Sequence, residues 1–374
     1  MLIAIDGNEA NTKEKVGVST YAYELLWGLY RLNNKRKTSN NFLIYLKDDP
    51  CDSLPKENLN WKYKVIRGKK NWILTSLMPS LLRNPKADIF FTPTHYLPPL
   101  AFVPKVFTIH DLGYLDFSGQ FRKYDFWQLK YWTAISVIVS KYIIAVSEST
   151  KKDIVRRYPF ASKKVAVIHH GYDRSRFNTE VKKDFVRRVK NKYSIDGDYI
   201  LFLSTLKPSK NIEGLLRGFN LIKDKFPKIN LVIAGKKGWL YESIYKEVNL
   251  LGLKDRVVFT DYVKEEEKPA LFSGAKIFAL PSFWEGFGMD ILNALSCGTP
   301  VVVSNVASLP EVAGKAGIYV DPKSDEDISR GLMKALSLND VEYNRFVRKG
   351  LEQVKNFSWE KTALKTMEVL ERIK

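Results

Sequence analysis

Short apolar runs alternate with helical segments along the whole chain, and this alternation constrains the fold most. The runs begin at Leu2, Phe42, Ile89, Val106, Ile143 and Val165 in the first half, and at Tyr199, Leu231, Val257, Ile277, Val301 and Ile318 in the second. Each run has the length of a buried strand and is followed by turn residues and a helical pattern. Strands that alternate with helices predict mostly parallel sheets with helices on both faces. The predicted fold class is therefore α/β, with doubly wound domains.

The strand pattern pauses once, in a charged stretch near the middle of the chain. With 374 residues, the chain is too long for one typical core and suits two α/β domains. We therefore predict an N-terminal Rossmann-like domain over residues 1–176, a linker over 177–195 and a C-terminal Rossmann-like domain over 196–356. The last segment, 357–374, is predicted as an amphipathic helix that packs back toward the N-terminal domain.

The net charge of +19 is concentrated in the first half, where residues 1–177 hold 28 Lys and Arg against 15 Asp and Glu. A basic face can attract nucleic acid, an anionic membrane or a phosphorylated substrate. No recognisable nucleic-acid-binding motif accompanies the charge, so nucleic acid is not a predicted partner. The basic clusters 31–37 and 62–70 adjoin Trp61 and Trp72, which suits a membrane interface or RNA as well as a plain solvated surface.

Cysteine usage and the N-terminus bear on localisation. Cys51 and Cys297 have no partner motif, which argues against a disulfide framework or a zinc site and favours a reducing compartment. The N-terminus enters a strand with no basic n-region, so no signal peptide is predicted. The longest nearly apolar stretch, 131–146, contains Lys141 and is too short to span a bilayer. We expect a cytoplasmic protein that is soluble or peripheral at the inner face of the membrane.

The segment 281–300, PSFWEGFGMDILNALSCGTP, is the most informative about function. A strand ending at Leu280 is followed by a Gly-spaced loop and by a helical pattern from Met289. Such a junction directs backbone N–H groups and the positive end of a helix dipole at the sheet edge, which suits nucleotide phosphates. Glu285 lies on the loop, where its carboxylate could reach sugar hydroxyls. An ordinary strand-to-helix turn whose glycines relieve strain has the same spacing.

Other polar residues also follow predicted strands, where two facing sheets would form a ligand crevice. They are Asp6, Gly17, His110, Asp111, Ser147, His169 and His170 in the first half, and Lys207, Ser209, Lys210 and Gly235 in the second. Lys210, near a helix start, could neutralise a diphosphate. His110 could hydrogen-bond a sugar or a phosphate, although a histidine at a strand end is as often structural. The histidine pair lacks an acidic ligand at suitable spacing, so no metal site is predicted.

Taken together, these segments resemble retaining glycosyltransferases of the GT-B class, family 4. The resemblance covers nearly the whole chain through IAIDG, FTIHDL, AVSESTKKDI, VIHHGYDRSRF, LKPSKNIEGLLRGF, LVIAGKKGWL, the long segment 259–322 and the closing FSWEKTA. Within the family, the chain looks most similar to mannosyltransferase-like members. The resemblance implies two Rossmann-like doubly wound domains facing across a cleft. The N-terminal domain would bind the acceptor and the C-terminal domain the nucleotide sugar.

The resemblance also assigns roles to residues. Glu285 matches the first carboxylate of the family's paired-Glu motif and would contact donor-sugar hydroxyls, Lys210 would hold the diphosphate, and His110 would lie near the transferred sugar. These three are the predicted catalytic residues. The predicted donor-binding residues are Gly17, Lys207, Ser209, Gly235, Phe287, Gly288, Met289, Asp290, Asn293, Ser308 and Leu309. The predicted acceptor-side residues are Asp6, Asp111 and Ser147.

The sequence departs from the family pattern at two positions. Asn293 stands where the family has its second Glu, which grips the ribose. Losing that charge-assisted bond would weaken ribose binding by about 1–2 kcal/mol, and Asp290, one helical turn earlier, could partly substitute. Ser209 stands where related sequences place an Arg beside the lysine, so Lys207 would have to reach the diphosphate instead.

The implied activity is retaining transfer of a mannose- or glucose-type hexose from a GDP- or UDP-linked sugar to a hydroxyl of a glycan or lipid-linked acceptor, as in polysaccharide biosynthesis. No metal and no cofactor are expected. The expected partners are the nucleotide sugar, the acceptor and an anionic membrane. The two departures support a different reading, a catalytically weak or inactive relative that binds a glycan or a partner. A sugar-nucleotide epimerase is a further alternative within the same fold.

Overall fold

The computed structural model describes residues 1–36, 40–68, 71–83, 87–116 and 123–372. The chain divides into two compact units, Met1–Gly171 with Ser358–Lys374, and Tyr172–Phe357. Of the basic clusters singled out above, Lys37, Lys69 and Lys70 lie outside the described residues.

Each unit contains one parallel sheet. The strands of the first unit are β1 (Leu2–Asp6), β2 (Asn41–Leu46), β3 (Trp61–Val65), β4 (Ile89–Thr92), β5 (Lys105–Ile109), β6 (Tyr142–Ala145) and β7 (Val165–Val167). Those of the second are β8 (Asp198–Leu203), β9 (Ile229–Ala234), β10 (Val257–Asp261), β11 (Ile277–Leu280), β12 (Val301–Ser304) and β13 (Gly317–Val320). Their orders are β3-β2-β1-β4-β5-β6-β7 and β10-β9-β8-β11-β12-β13. The predicted fold class, two Rossmann-like α/β domains, is confirmed.

Helices join many of the parallel strands and also follow the last one. They are α1 (Val18–Lys35), α2 (Met78–Arg83), α3 (Lys123–Val139), α4 (Glu148–Arg157), α5 (Lys183–Lys192), α6 (Ile212–Asn220), α7 (Glu242–Leu250), α8 (Lys268–Gly274), α9 (Met289–Ser296), α10 (Leu309–Ala313), α11 (Asp325–Leu336), α12 (Asp340–Val354) and α13 (Trp359–Glu371). Every residue of β4, β5, β11 and β12 is buried, as expected for central strands covered on both faces. Within the described ranges, no helix combines the length and apolarity needed to cross a membrane.

The unit boundaries differ from the predicted domain bounds. The first unit ends at Gly171, and residues 177–195, predicted as a linker, belong to the second unit and contain α5. Phe177 and Val189 are each 3% exposed, and the Phe177 ring packs against Phe272 with centroids 6.0 Å apart. Although residues 177–195 are rich in charge, these apolar side chains attach the stretch to the hydrophobic core of the second unit.

Helix α13 completes the first unit by packing against α1. A Cβ added to Gly28 of α1 would lie 2.8 Å from the Cβ of Ala363, so the glycine permits a close approach of the two helices. Arg36 and Glu371 form an ion pair of 2.5 Å, and Thr362 Oγ1 donates to the His169 carbonyl at 2.7 Å. The last segment of the chain is thus part of the first core.

Among the strands that the structure describes, β3 is the one that the sequence interpretation missed. Its sequence WKYKV was assigned to a basic, aromatic surface cluster, but the alternation of lysine with aromatic or apolar side chains has the period of an edge strand. Trp61 is 1% exposed and Trp72 is 7% exposed. These two rings are core residues and cannot serve as anchors in a membrane interface.

Candidate active site

The candidate site of the second unit lies where its strand order reverses. From β8 the chain continues to β9 on one side, while β11 pairs with β8 on the other. In open α/β sheets, ligands bind beyond the carboxyl ends of the strands at such a point. Two loops meet here, because Phe283 N donates to the Ser209 carbonyl at 2.9 Å and Asn211 Nδ2 donates to the Pro281 carbonyl at 3.0 Å.

Lys210 and Glu285, two of the predicted catalytic residues, are in direct contact. Lys210 Nζ lies 2.5 Å from Glu285 Oε1, and each side chain is 11% exposed. Ser282 Oγ donates to the same carboxylate oxygen at 2.8 Å. Two charges at this depth compensate each other's desolvation. The pair offers a cation and a hydrogen-bond acceptor side by side at the edge of the sheet.

The loop that carries Glu285 is held by a buried hydroxyl. Ser308 Oγ donates to the carbonyls of Glu285 and Phe287 at 2.9 and 3.0 Å. Ser308, a predicted donor-binding residue, directly precedes α10, the usual place of an N-cap. Its side chain makes no cap hydrogen bond, because it binds the neighbouring loop instead.

Gly288 forms the turn into α9. Its φ of +94° lies in the left-handed region, and an added Cβ would be 3.0 Å from Leu309 Cδ2. Only glycine meets both demands without strain. Met289 is the first residue of α9, so the positive end of that helix dipole lies directly after the Glu285 loop.

Asn293 and Asp290, one turn apart on α9, contact each other. Asn293 Nδ2 donates to Asp290 Oδ1 at 3.3 Å, and burial raises the pKa of Asp290 above its usual value. With its amide nitrogen directed at Asp290, Asn293 could accept a ribose hydroxyl through Oδ1. The two residues therefore form one polar unit.

Lys207 and Gly235 lie on adjacent loops. Leu206 N donates to the Lys236 carbonyl at 2.9 Å, which joins the loops after β8 and β9. A Cβ on Gly235, whose φ is +143°, would lie 1.8 Å from the Ser204 carbonyl oxygen. Lys207 Nζ lies 5.1 Å from the centroid of the Trp239 ring. The Lys207 ammonium group therefore lies over an aromatic ring of the loop that follows β9.

In the first unit, Asp6 lies at the corresponding point, where β1 pairs with both β2 and β4. Its carboxylate accepts from Asn8 N at 3.1 Å and from Asn8 Nδ2 at 2.7 Å, and Thr92 Oγ1 is 3.5 Å away. Burial raises the pKa of Asp6 to about 6. This carboxyl group therefore changes its charge close to neutral pH.

His110, after β5, is a neutral buried imidazole. Its Nε2 is 2.8 Å from the Pro93 carbonyl oxygen, and a carbonyl only accepts, so Nε2 carries the proton. Its backbone N–H donates to His95 Nε2 at 2.9 Å. Burial is the main cause that lowers the pKa of His110 to about 4. At neutral pH, the ring therefore presents an unprotonated Nδ1.

Three aromatic neighbours surround His110. The sequence indicated His170 as a strand-end residue, but not Tyr21 or His95. The ring centroids of Tyr21, His170 and His95 lie 4.9, 5.7 and 5.9 Å from that of His110. His95 follows β4 by three residues, so the rule that selected the other strand-end residues could have found it. Tyr21 lies within α1. The sequence pattern of a helix does not distinguish a tyrosine that packs in the core from one that lines a functional site.

The other predicted residues of the first unit have local partners. Asp111 Oδ1 accepts from Gly113 N at 3.0 Å. Ser147 is buried and caps α4 by accepting from Thr150 N at 3.0 Å. Gly17 directly precedes α1 with a φ of +50° and has open space at its Cβ position. The roles of all these residues stay predictions.

Comparison with known proteins gives the class of the molecule. Residues 184–353 match the family model for glycosyl transferases group 1, and residues 47–176 match that for glycosyltransferase family 4. O-antigen chain mannosyltransferase B of Escherichia coli is 31% identical over 299 residues, which cover 76% of this chain and 74% of that protein. Serotype-specific mannosyltransferase WbdA of Escherichia coli is 30% identical over 237 residues, which cover 62% of this chain and 29% of WbdA.

Solved structures agree at the level of the fold. The crystal structure of Anabaena HepE in complex with UDP and glucose matches with a TM-score of 0.77 at 15% identity and covers 99% of both chains. The two sheets and this match show the GT-B fold. The chain belongs to glycosyltransferase family 4 and is similar to its mannosyltransferases, as its motifs predicted.

Proposed function

We propose that this glycosyltransferase moves a mannose- or glucose-type hexose from a GDP- or UDP-linked donor to a hydroxyl of a glycan or lipid-linked acceptor, with retention at the anomeric carbon. The observation that carries the proposal is the contact between Lys210 and Glu285 at the strand-order reversal of the second sheet. Support comes from the two Escherichia coli relatives, which are named mannosyltransferases, and from the HepE complex with UDP and glucose.

The pair explains how donor binding and catalysis are linked. When the bond between the anomeric carbon and the diphosphate breaks, negative charge grows on the diphosphate. Lys210 and the start of α9 stabilise that charge. As Lys210 turns to the diphosphate, Glu285 loses a partner and accepts hydrogen bonds from sugar hydroxyls. One internal ion pair is thereby exchanged for two ligand contacts.

In this proposal, the acceptor oxygen forms its bond to the anomeric carbon on the face that the diphosphate leaves, and a diphosphate oxygen takes the acceptor proton. His110, whose pKa is lowered to about 4, acts near the sugar as a neutral hydrogen-bonding group and not as an acid. Lys210 and the α9 dipole supply positive charge, so we propose that no divalent metal is required. We also propose a cytoplasmic location with peripheral contact to the inner face of an anionic membrane.

A catalytically inactive glycan- or partner-binding role is not favoured. The chain belongs to an enzyme family, and the Lys210–Glu285 contact is intact despite the changes at Asn293 and Ser209.

A transfer assay tests the proposal. The protein is incubated with a panel of GDP- and UDP-sugars and a glycan acceptor in the presence of EDTA, and the anomeric configuration of the product is read by NMR. We expect one hexose donor to give a product with retained configuration. An inverted product, or a strict requirement for a divalent metal, contradicts the corresponding part of the proposal.

A further inference from the structure

Helix α3 carries an exposed apolar stripe that the proposed chemistry does not use. Within residues 126–139, where the structure describes its side chains, the exposed ones are Trp127, Tyr131, Ile135 and Ile138, at 45, 60, 42 and 62%. Spacings of four, four and three residues place them on one face, over about 17 Å of helix. A surface helix normally turns charged residues to solvent on this face. Helix α3 instead exposes apolar groups there.

Aromatic rings and lysines accompany the stripe. The Trp127 and Tyr131 rings stack with centroids 5.4 Å apart, and Lys130 Nζ lies 4.7 Å from the Trp127 centroid. At the other end of the helix, Lys164 Nζ donates to the Ile138 carbonyl at 3.3 Å. Tryptophan and tyrosine beside lysine are typical of segments that lie in the headgroup region of a bilayer.

The apolar surface continues beyond the end of α3. Residues 139–141 line a cavity of about 730 Å³ together with Leu82, Leu100 and Phe102. Leu100 is 64% exposed and Phe102 is 91% exposed. Exposed apolar surface on this scale, bordered by lysines, marks an interaction site more often than chance exposure.

The net charge favours one of two possible partners of this surface, a second copy of the chain or an anionic bilayer. The first 177 residues carry the larger share of the net charge of +19, so the first units of two copies of the chain would repel each other. An anionic bilayer supplies the opposite charge and also accepts apolar side chains. We propose that the α3 stripe, Trp127, Tyr131, Ile135 and Ile138, inserts into the interface of an anionic lipid bilayer, with Leu100 and Phe102 as a second contact.

This contact gives the first unit a defined orientation. Helix α3 connects β5 to the parallel strand β6, so it runs back along the sheet from the carboxyl edge. Its start is near that edge, because the Phe126 ring packs against Tyr114, four residues after His110, with centroids 6.4 Å apart. The membrane then lies along the α3 side of the sheet. The Trp127 end of the stripe is near the edge that carries Asp6 and His110, whereas Leu100 and Phe102, which precede β5, are near the opposite edge. A lipid-linked acceptor presents its hydroxyl at the Trp127 end. In this respect the inference rests on the proposed function.

Vesicle flotation of the full chain tests the inference, with neither donor nor acceptor present. We expect binding to phosphatidylcholine vesicles that contain phosphatidylglycerol, and weaker binding in high salt. The double variant Trp127→Ser, Ile138→Ser should bind about tenfold more weakly. A matched control, Leu221→Ser with Leu250→Ser, removes two residues of the second unit that are 57 and 80% exposed, and should leave binding within about twofold. Equal losses in both variants, or no loss in the first, overturn the proposal.

A second measurement keeps the test valid if the double variant folds poorly. Brominated lipids quench tryptophans that enter the bilayer interface, and Trp127→Phe should reduce this quenching while retaining vesicle binding. Unchanged quenching overturns the proposal, as does a dimer in solution that the stripe variants dissociate. A transfer assay with a soluble acceptor separates this proposal from the proposed function. Vesicle binding without sugar transfer supports the membrane contact and contradicts the proposed transfer reaction. Sugar transfer without vesicle binding supports the reaction and contradicts the membrane contact.

Discussion

At the scale of single residues, Lys210 is the group on which the proposed chemistry depends most. Lys210→Ala should lower kcat by well over tenfold, because the charge that develops on the leaving diphosphate loses its nearest cation. Steady-state kinetics with the active donor measure the effect. Lys246→Ala, which removes an exposed lysine of α7, should leave kcat unchanged. Comparable rates for both variants would remove Lys210 from the mechanism.

Asn293 and Asp290 must be tested together because they contact each other. Asn293→Glu restores a charged ribose partner, but it also places a second carboxylate beside Asp290. We therefore expect little gain in nucleotide affinity from the single variant and a gain of about tenfold when Asp290→Asn is added. Calorimetric titration of the nucleotide measures both. Equal affinities in wild type and the double variant would show that Asn293 does not limit ribose binding.

Asp6 gives the stability of the protein a defined dependence on pH. Its pKa is raised from 3.8 to about 6 by burial, so the folded state holds a proton that the unfolded state releases between these values. The stability contributed by protonated Asp6 is fully present below pH 3.8 and is lost as pH rises through about 6. The shift corresponds to a loss of about 3 kcal/mol.

Asp6→Asn should therefore raise the free energy of unfolding at pH 8 and change it little at pH 5, since an amide oxygen can accept the same bonds from Asn8. Urea unfolding at the two pH values measures this difference. Asp224→Asn, at an exposed position, is the control and should show no difference between them. A variant of Asp6 that is equally stabilised at both pH values would show that Asp6 is not a buried, titrating group.

At the scale of elements, the loops after the strands depend on glycines with special geometry. Gly235→Ala should destabilise the protein by about 3 kcal/mol or more, since its φ is +143° and its Cβ would overlap the Ser204 carbonyl. Gly252→Ala is a matched control, because its φ is also positive at +62° but its Cβ would meet open space. It should cost about 1 kcal/mol. Thermal unfolding of both variants gives the comparison, and similar losses would contradict a steric role for Gly235.

The sequence predicts a strand or helix well where the hydrophobic pattern of that segment alone determines its structure. The run IFAL of β11 is uniformly apolar and bounded by turns, and it was found with its observed ends. Strand β3 was missed because its alternation also fits a charged surface. The contact between Lys210 and Glu285 joins residues 75 positions apart, and only the pairing of β8 with β11 brings them together. No local pattern contains that information.

At the scale of the whole molecule, the chain builds its first unit from both of its ends. Gly171 marks the meeting point, since an added Cβ would lie 2.1 Å from the backbone nitrogen of Trp359. The net charge is also a property of the whole chain. The charge predicts attraction to anionic surfaces, but it does not predict which face of the protein makes the contact. The α3 stripe identifies that face only when the exposure of its side chains is known from the structure.

The most direct test of the central claim is calorimetric titration of GDP and UDP into the protein with EDTA present. We expect that one of the two nucleotides binds, and that its affinity falls at least about tenfold in Lys210→Ala, because the lysine beside Glu285 holds the diphosphate. Absence of binding by both nucleotides, or equal binding to wild type and variant, would contradict that claim.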